Sequence, residues 1–381
     1  VQILADIEFN GIKLNSVALT KFGLELKEKL ARLQDDIYIE CGKEFNINSP
    51  KQLQTILFTE RKLQPVKKTK TGFSTDSSVL EILSKEDVVP EMILRYRTLM
   101  KLKSTYVDAL PEYVNSETGR VHTSLNQTGT ATGRLSSRDP NLQNIPVKSE
   151  EGRRIRAAFI AEEGYTLLSA DYSQIELVVL AHLSGDSALK KAFVSGNDVH
   201  SETGALIFDK TLEEITKDDR RIAKTINFGV MYGMSSFRLG RDLGIPRARA
   251  EEFIKSYFEK YSGIRIFMDK VIEDAEKTGK VTTLMGRERF IPGINSRNKT
   301  EKSGAERMAV NTPIQGSAAD IVKLAMLKLV HRLEDDNLVS RMILQVHDEL
   351  IFEVPEAELE IMKKIIKEEM EAAVTLSIPL R

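Results

Sequence analysis

Residues 342–354 read Met-Ile-Leu-Gln-Val-His-Asp-Glu-Leu-Ile-Phe-Glu-Val, and the fold turns on how that run is parsed. Apolar, strand-like residues flank a polar break, His347-Asp348-Glu349, which predicts a hairpin with two carboxylates at its tip. A second strand is expected over 165–170, closed by Asp171 just before a helical segment. Two strand-end aspartates that meet in space offer acceptor-only oxygens on stiff backbone. That suits paired divalent cations and an in-line phosphoryl displacement. A lone Asp at a strand end is ordinarily a turn residue or a helix cap. Glu349 is read as an assistant or a solvated side chain, not as a ligand.

Between these strands the segment Arg220-Arg-Ile-Ala-Lys-Thr-Ile-Asn-Phe-Gly-Val-Met-Tyr-Gly predicts a helix. Arg220, Lys224, Phe228 and Tyr232 recur every four residues and so share one drifting ridge. Two cations lie at one end and two aromatic faces at the other, the polarity of a nucleoside triphosphate with its phosphates and flat base. The alternative is an amphipathic helix with its aromatics in a core.

The 381 residues exceed what one small core organises, so two or three subdomains are expected. Apolar content of 41% and charged content of 29% are those of a soluble globular chain. No apolar run reaches the length of a membrane span, and no signal peptide opens the chain. The single cysteine, Cys41, cannot close an internal disulfide and is read as a structural thiol. An intracellular, reducing compartment follows as the expectation.

The net charge of −1 is uninformative, but its distribution is not. Residues 51–70 carry six Lys/Arg against one acid, whereas 331–381 carry twelve Asp/Glu against six Lys/Arg. A basic patch set against an acidic region suits a protein that grips a polyanion in one place and cations in another, although charge runs are commonly just solvated surface.

Along the chain, Asn15 or Ser16 is placed to cap a long helix with apolar positions Leu19, Phe22, Leu26, Leu30, Leu33 and Ile37. Ser49 with Pro50 opens another helix, the basic 62–72 stretch reads as a loop, and helical stretches continue to about Asp108. From Val121 to Pro146 the chain turns to Thr, Ser, Asn, Gln and Gly, which is either an ordinary polar loop or a set of short donors for phosphates and groove edges. Residues 187–310 are expected to be a mostly helical insertion. A helix after Pro313, with Ile321, Leu324, Ala325 and Leu329 on one side, is expected to cover the sheet.

Three strings now carry a resemblance: Asp171-Tyr-Ser-Gln-Ile-Glu-Leu, the Arg220 to Gly233 helix, and Val346-His-Asp-Glu. In kind and order they resemble the signature motifs of family A DNA polymerases, the bacterial DNA polymerase I type. Thr130-Ala-Thr-Gly-Arg-Leu-Ser-Ser, Asp139-Pro-Asn-Leu-Gln-Asn-Ile-Pro and Asn311-Thr-Pro-Ile-Gln-Gly extend the likeness over nearly the whole chain.

The resemblance implies an α+β fold of right-hand type, with an antiparallel-sheet palm (1–9, 116–186 and 311–381), a helical thumb (10–115) and helical fingers (187–310). It implies two magnesium ions, with manganese as a substitute, on Asp171, Asp348 and the carbonyl of Tyr172. His200, Arg220 and Lys224 would meet the triphosphate, with Lys224 also protonating the leaving pyrophosphate. Phe228, Tyr232, Gln174 and Glu176 would line the nucleotide site, with Tyr232 at the template position. Arg134, Gln143, Asn144, Asn311, Gln315 and His347 would contact primer-template DNA, several through minor-groove acceptors that every correct pair presents alike. The implied partners are primer-template DNA and dNTPs, with the protein a monomer in the bacterial cytoplasm, associated with the nucleoid.

Glu176, one turn beyond Asp171, is expected to fill the space a ribose 2′-hydroxyl needs. Phe228, without the hydroxyl of a Tyr, implies discrimination against dideoxynucleotides. Val178 departs from the family pattern, which has an arginine there. The resemblance further implies a trimmed piece of a longer protein, without exonuclease domains. Three other readings stay open: a single-subunit RNA polymerase, which Glu176 disfavours; a two-metal nuclease, which leaves the ridge without a purpose; and a catalytically silent DNA-binding module.

Overall fold

The computed structural model describes residues 1–70, 72–147 and 149–381, and these group into two compact units. One comprises Phe9–Ser124 and Arg138–Glu162; the other comprises Val1–Glu8, Leu125–Ser137 and Glu163–Arg381. Residues 138–162, expected with a palm segment, therefore cluster with the helical arm.

In the first unit a short strand, β1 (Ile12–Leu14), is followed by the 26-residue helix α1 (Ser16–Cys41). Asn15 caps α1: its side-chain oxygen accepts from the Ala18 amide at 3.0 Å. Five of the six expected apolar positions are buried, and Leu33 is partly so. They pack against α2 (Val88–Leu102). Strand β1 lies between β2 (Arg120–Val121) and β3 (Phe159–Ile160), antiparallel to both. Ser49 caps the helix opened by Pro50, as expected. The 62–72 stretch is not wholly loop, because Lys68–Thr69 pairs with Gly72–Phe73; Thr71 lies outside the described residues.

The second unit is built on β4 (Tyr165–Asp171), followed in chain order by helices α3 (Ile175–Ser184), α4 (Val199–Phe208), α5 (Lys217–Met231), α6 (Ser262–Thr278) and α7 (Lys299–Asp335). Strands β5 (Arg341–Val346) and β6 (Glu349–Pro355) and helix α8 (Leu359–Glu371) complete it. The sheet order is β5-β6-β4, all antiparallel, with Asp171 opposite Glu349 and Ala170 opposite Leu350. Leu350, Phe352 and Val354 of β6 are fully buried on one face, each contributing about 2 kcal/mol. Helix α3 is buried from Ile175 through Ala181, which explains its run of apolar residues without a polar face, and it packs on α6 and α7.

The 187–310 insertion is mostly helical, as expected, and includes one hairpin, Lys280–Thr282 with Glu288–Phe290. Two sequence expectations need correction. The turn of the hairpin at 342–354 is His347-Asp348, and Glu349 already belongs to β6. Helix α7 begins at Lys299 and continues through Pro313 instead of starting after it. Pro costs roughly 3 kcal/mol in a helix interior. Here the flanking residues, Ala309, Val310, Thr312, Ile314 and Gly316 through Val322, are buried, so tertiary packing overrides the local penalty.

Candidate active site

The register of the sheet brings the two aspartates to one end of it. Asp171 is the last residue of β4, opposite Glu349, and the amide of Tyr172 donates to the carbonyl of Asp348 at 3.4 Å. His347 takes a left-handed backbone (φ 55°), which makes the turn that presents Asp348. The Asp171 carboxyl is held above the usual carboxylate range by partial loss of hydration and then by the negative charges of Asp348 and Glu349. Burial also raises Asp348, with Glu176 adding to it and Arg134 opposing. Two neighbouring carboxyls held above their ordinary values disfavour their own negative charge, which a divalent cation would stabilise.

The donor set fits magnesium: two carboxylates and the carbonyl of Tyr172 are hard oxygen ligands. Magnesium typically takes one or two carboxylates and keeps water and substrate oxygens for the rest. Among the described residues no group of three or more His, Cys, Asp or Glu is placed to hold a metal ion by itself. The Tyr172 side chain is anchored elsewhere, its hydroxyl donating to the Met370 carbonyl at 2.7 Å. Glu349 accepts from the Ser169 hydroxyl.

Behind the aspartates lies a buried ionic network. Glu176, in the first turn of α3, is 5% exposed. One of its oxygens accepts from the Arg134 guanidinium at 2.5 Å and the other from the Tyr232 hydroxyl. Burial, then Glu176, pushes the Tyr232 phenol upward, and the Gln315 side chain faces the same hydroxyl. Arg134, Glu176, Tyr232 and Gln315 therefore form one group.

Buried polar atoms left without a partner mark where a ligand is wanted. Among the described residues these are Arg134 Nε, Gln174 Oε1, Asn311 Oδ1 and the Tyr257 hydroxyl. The first three sit on residues already singled out in the sequence.

Helix α5 starts at a capping box in which Thr216 and Asp219 satisfy each other's amides. Arg220 and Lys224 are exposed, Phe228 is half-buried, and Tyr232 is the C-cap residue, its ring stacked 6.4 Å from that of Phe228. The ridge is thus open at its cationic end. Arg220 is not a free cation: its Nε and Nη2 donate to the Asp198 carboxylate at 2.9 and 2.7 Å. Burial alone would raise Asp198, but Arg220 and Ser201 outweigh it and hold this carboxyl below its ordinary value.

His200, on α4, is 1% exposed, with its ring 5.7 Å from Phe228. Burial lowers its pKa to about 4, so the imidazole is neutral at neutral pH. His347 is exposed at the turn. Val178 is buried in the core on α3, in keeping with a packing role. Gln143 and Asn144 belong to the other unit, where the Asn144 carbonyl accepts from Tyr106.

Sequence reasoning missed Asp198 and Gln345. Asp198 caps α4 two residues before His200, and an Asp just ahead of a helical run is a recognisable cap signal. Gln345 interrupts an apolar strand; it is 4% exposed and its amide donates to the His347 carbonyl, bracing the turn.

The fold is that of a nucleic-acid polymerase domain: the solved POL domain of Pol1 from M. smegmatis, in complex with DNA primer-template and dNTP, superposes with a TM-score of 0.95 at 42% identity, covering 100% of this chain and 67% of that one. The family profile for DNA polymerase family A matches residues 16–381, and the chain belongs to that family. DNA polymerase I of Geobacillus stearothermophilus is 50% identical over 380 residues, covering 100% of this chain and 43% of that protein. The thermostable DNA polymerase I of Thermus aquaticus is 49% identical over 380 residues, covering 99% of this chain and 45% of that protein. The chain thus spans less than half the length of these relatives. No helix among the described residues is long and apolar enough to cross a membrane.

Proposed function

We propose that this chain carries out template-directed DNA synthesis, adding dNTPs to a primer 3′-hydroxyl with release of pyrophosphate. The observation that carries the reading is the convergence of Asp171 and Asp348 at the end of neighbouring strands, each with its carboxyl raised, in a family A chain. Asp171, Asp348 and the Tyr172 carbonyl would hold two magnesium ions, which manganese could replace. When bound, the metal supplies a lowered pKa for the 3′-hydroxyl and neutralises triphosphate charge.

The remaining work falls to the chain. Arg220 and Lys224 neutralise phosphate charge, and Lys224 donates a proton to the leaving pyrophosphate. His200 donates a hydrogen bond to a phosphate oxygen. Phe228 stacks on the incoming nucleotide, Tyr232 stacks at the template position, and Gln174 turns its amide to the sugar. Glu176, held by Arg134 and Tyr232, occupies the room a 2′-hydroxyl would need. Arg134, Asn311, Gln315 and His347 take minor-groove acceptors or the primer end, and Gln143 and Asn144 contact the duplex. We assign residues 10–115 as thumb, 187–310 as fingers and the rest as palm, in a monomeric cytoplasmic protein.

The test is primer extension with magnesium and dNTPs, comparing the wild type with Asp171→Ala. The expected result is extension by the wild type and none by the variant. Equal use of rNTPs would mark an RNA polymerase, and primer shortening without dNTPs a nuclease. Undiminished extension by Asp348→Ala would remove the carboxylates from the chemistry.

A further inference from the structure

A chain of buried polar groups runs from α6 to α4 and α5 and ends on His200. Tyr261, Thr203 and Asn227 are each fully buried, so their hydrogens have to be accounted for one by one. The Thr203 hydroxyl has a single proton. It lies 2.8 Å from the Val199 carbonyl and 3.3 Å from Asn227 Oδ1, and the shorter contact takes it. The Thr203 oxygen then accepts twice: from the Tyr261 hydroxyl at 3.0 Å and from Asn227 Nδ2 at 3.0 Å. The second amide hydrogen of Asn227 points to His200 Nδ1, 3.1 Å away.

Turning the amide over would set its oxygen 3.0 Å from a hydroxyl oxygen whose proton is already committed to Val199. The observed orientation keeps the 2.8 Å bond to Val199 and avoids opposing two lone pairs, and it is the one the distances favour. In that orientation His200 Nδ1 is an acceptor, and the ring proton resides on Nε2. Among the described residues Nε2 has no hydrogen-bond partner.

We propose that Asn227 is a positioning residue that locks His200 in the Nε2–H tautomer, so that the buried ring offers a neutral N–H donor to a polyphosphate oxygen. Thr203 and Tyr261 hold the Asn227 amide in the orientation that does this. The proposal rests on the reading of His200 as a triphosphate contact. The groups facing the ring agree with a neutral donor: the cations of Arg220 and Lys224 and burial all oppose a second proton, and only Asp198 favours one. The design lets an uncharged donor sit beside two cations without repelling them.

The direct test is nitrogen-15 NMR of the histidine-labelled protein at neutral pH, with the His200 signal assigned by its loss in His200→Gln; the chain has five histidines. The expected spectrum has a pyridine-type Nδ1 and a pyrrole-type Nε2. An Nδ1–H tautomer, a protonated ring or an averaged pair would overturn the proposal, whatever the enzyme's activity. Asn227→Asp should reverse the pattern, because a carboxylate accepts from Nδ1–H. The His200 pKa should then rise, and the KM for dNTP should become pH-dependent and increase roughly tenfold with kcat nearly unchanged. An unaltered tautomer in that variant would also count against the lock. If thermal melting shows that Asn227→Asp does not fold, Thr203→Val serves in its place: removing the acceptor that orients the amide should give mixed tautomers, and a single unchanged Nε2–H form would refute the relay.

Discussion

Strand ends and helices handle charge in opposite ways in this molecule. Around α4 and α5 several ionised groups have a close partner of opposite charge or local donors: Arg220 meets Asp198 in a two-pronged pair, and Asp219 accepts from Lys210 and from the Thr216 amide. At the end of β4 and the turn before β6 like charges gather instead. Burial, then Asp348 and Glu349, raise the Asp171 carboxyl, and burial raises that of Asp348, while Glu349 itself accepts from the Ser169 hydroxyl. Glu176 stands between these extremes, buried but answered by Arg134 and Tyr232. Satisfied polar groups hold the fold together, and unsatisfied ones mark where a ligand completes it.

The largest contrast is in activity. Lys224→Ala should slow single-nucleotide incorporation by about 10²- to 10³-fold, as expected for a lost general acid that also neutralises phosphate charge, with the melting temperature unchanged. A rate within a few fold of wild type would leave Lys224 as surface charge.

Next comes Glu176→Ala, which strands the Arg134 cation and the Tyr232 hydroxyl. Because Arg134 keeps some contact with solvent, the loss should be about 2–3 kcal/mol, at the lower side of a broken buried pair. Urea unfolding measures it, and ribonucleotide incorporation by the same variant should rise. Normal stability would mean the network is loose; unchanged sugar selectivity would mean that Glu176 does not fill the 2′ position.

Asp348→Asn should go the other way. A carboxyl whose pKa is raised on folding binds its proton more tightly in the native state, so its ionisation erodes stability as pH climbs from the ordinary carboxylate value through the raised one. Above the raised value that penalty is fully present, and the amide removes it. The variant should be more stable than wild type at neutral pH, with the advantage vanishing as the pH falls below the ordinary carboxylate value. Melting curves across that range decide; a variant that is less stable at neutral pH would contradict the electrostatic picture.

The smallest effect concerns magnesium itself. Added to the wild type it should raise the melting temperature by mass action, and in the Asp171→Asn, Asp348→Asn double variant it should not. An equal rise in both would place the bound ion elsewhere.

Much of this contrast was legible in the sequence, and its limits have physical causes. The apolar runs on either side of His347-Asp348 gave the hairpin, and Asn15 and Ser49 gave helix starts, because strand composition and caps are local signals. The pairing of β4 with β6 joins residues some 180 positions apart, and no local pattern encodes such a register. Pro313 misled because the local rule forbids it inside a helix, while the burial that overrides the rule comes from distant parts of the chain. The three-residue strands at 280–290 are too short to show an alternating pattern. At the site, Arg134, Glu176 and Tyr232 were each identified singly. Their mutual contact, and the Asn227 link to His200, depend on how three separate segments fold together.

The rate of a single turnover tests the role of the strand-end carboxylates most directly. With primer-template, one matched dNTP and magnesium, Asp348→Asn should incorporate nucleotide at least about 10³-fold more slowly than wild type while melting at the same or a higher temperature. A variant that keeps the wild-type rate, or loses it only because it unfolds, would show that the strand-end carboxylates are not the centre of the chemistry.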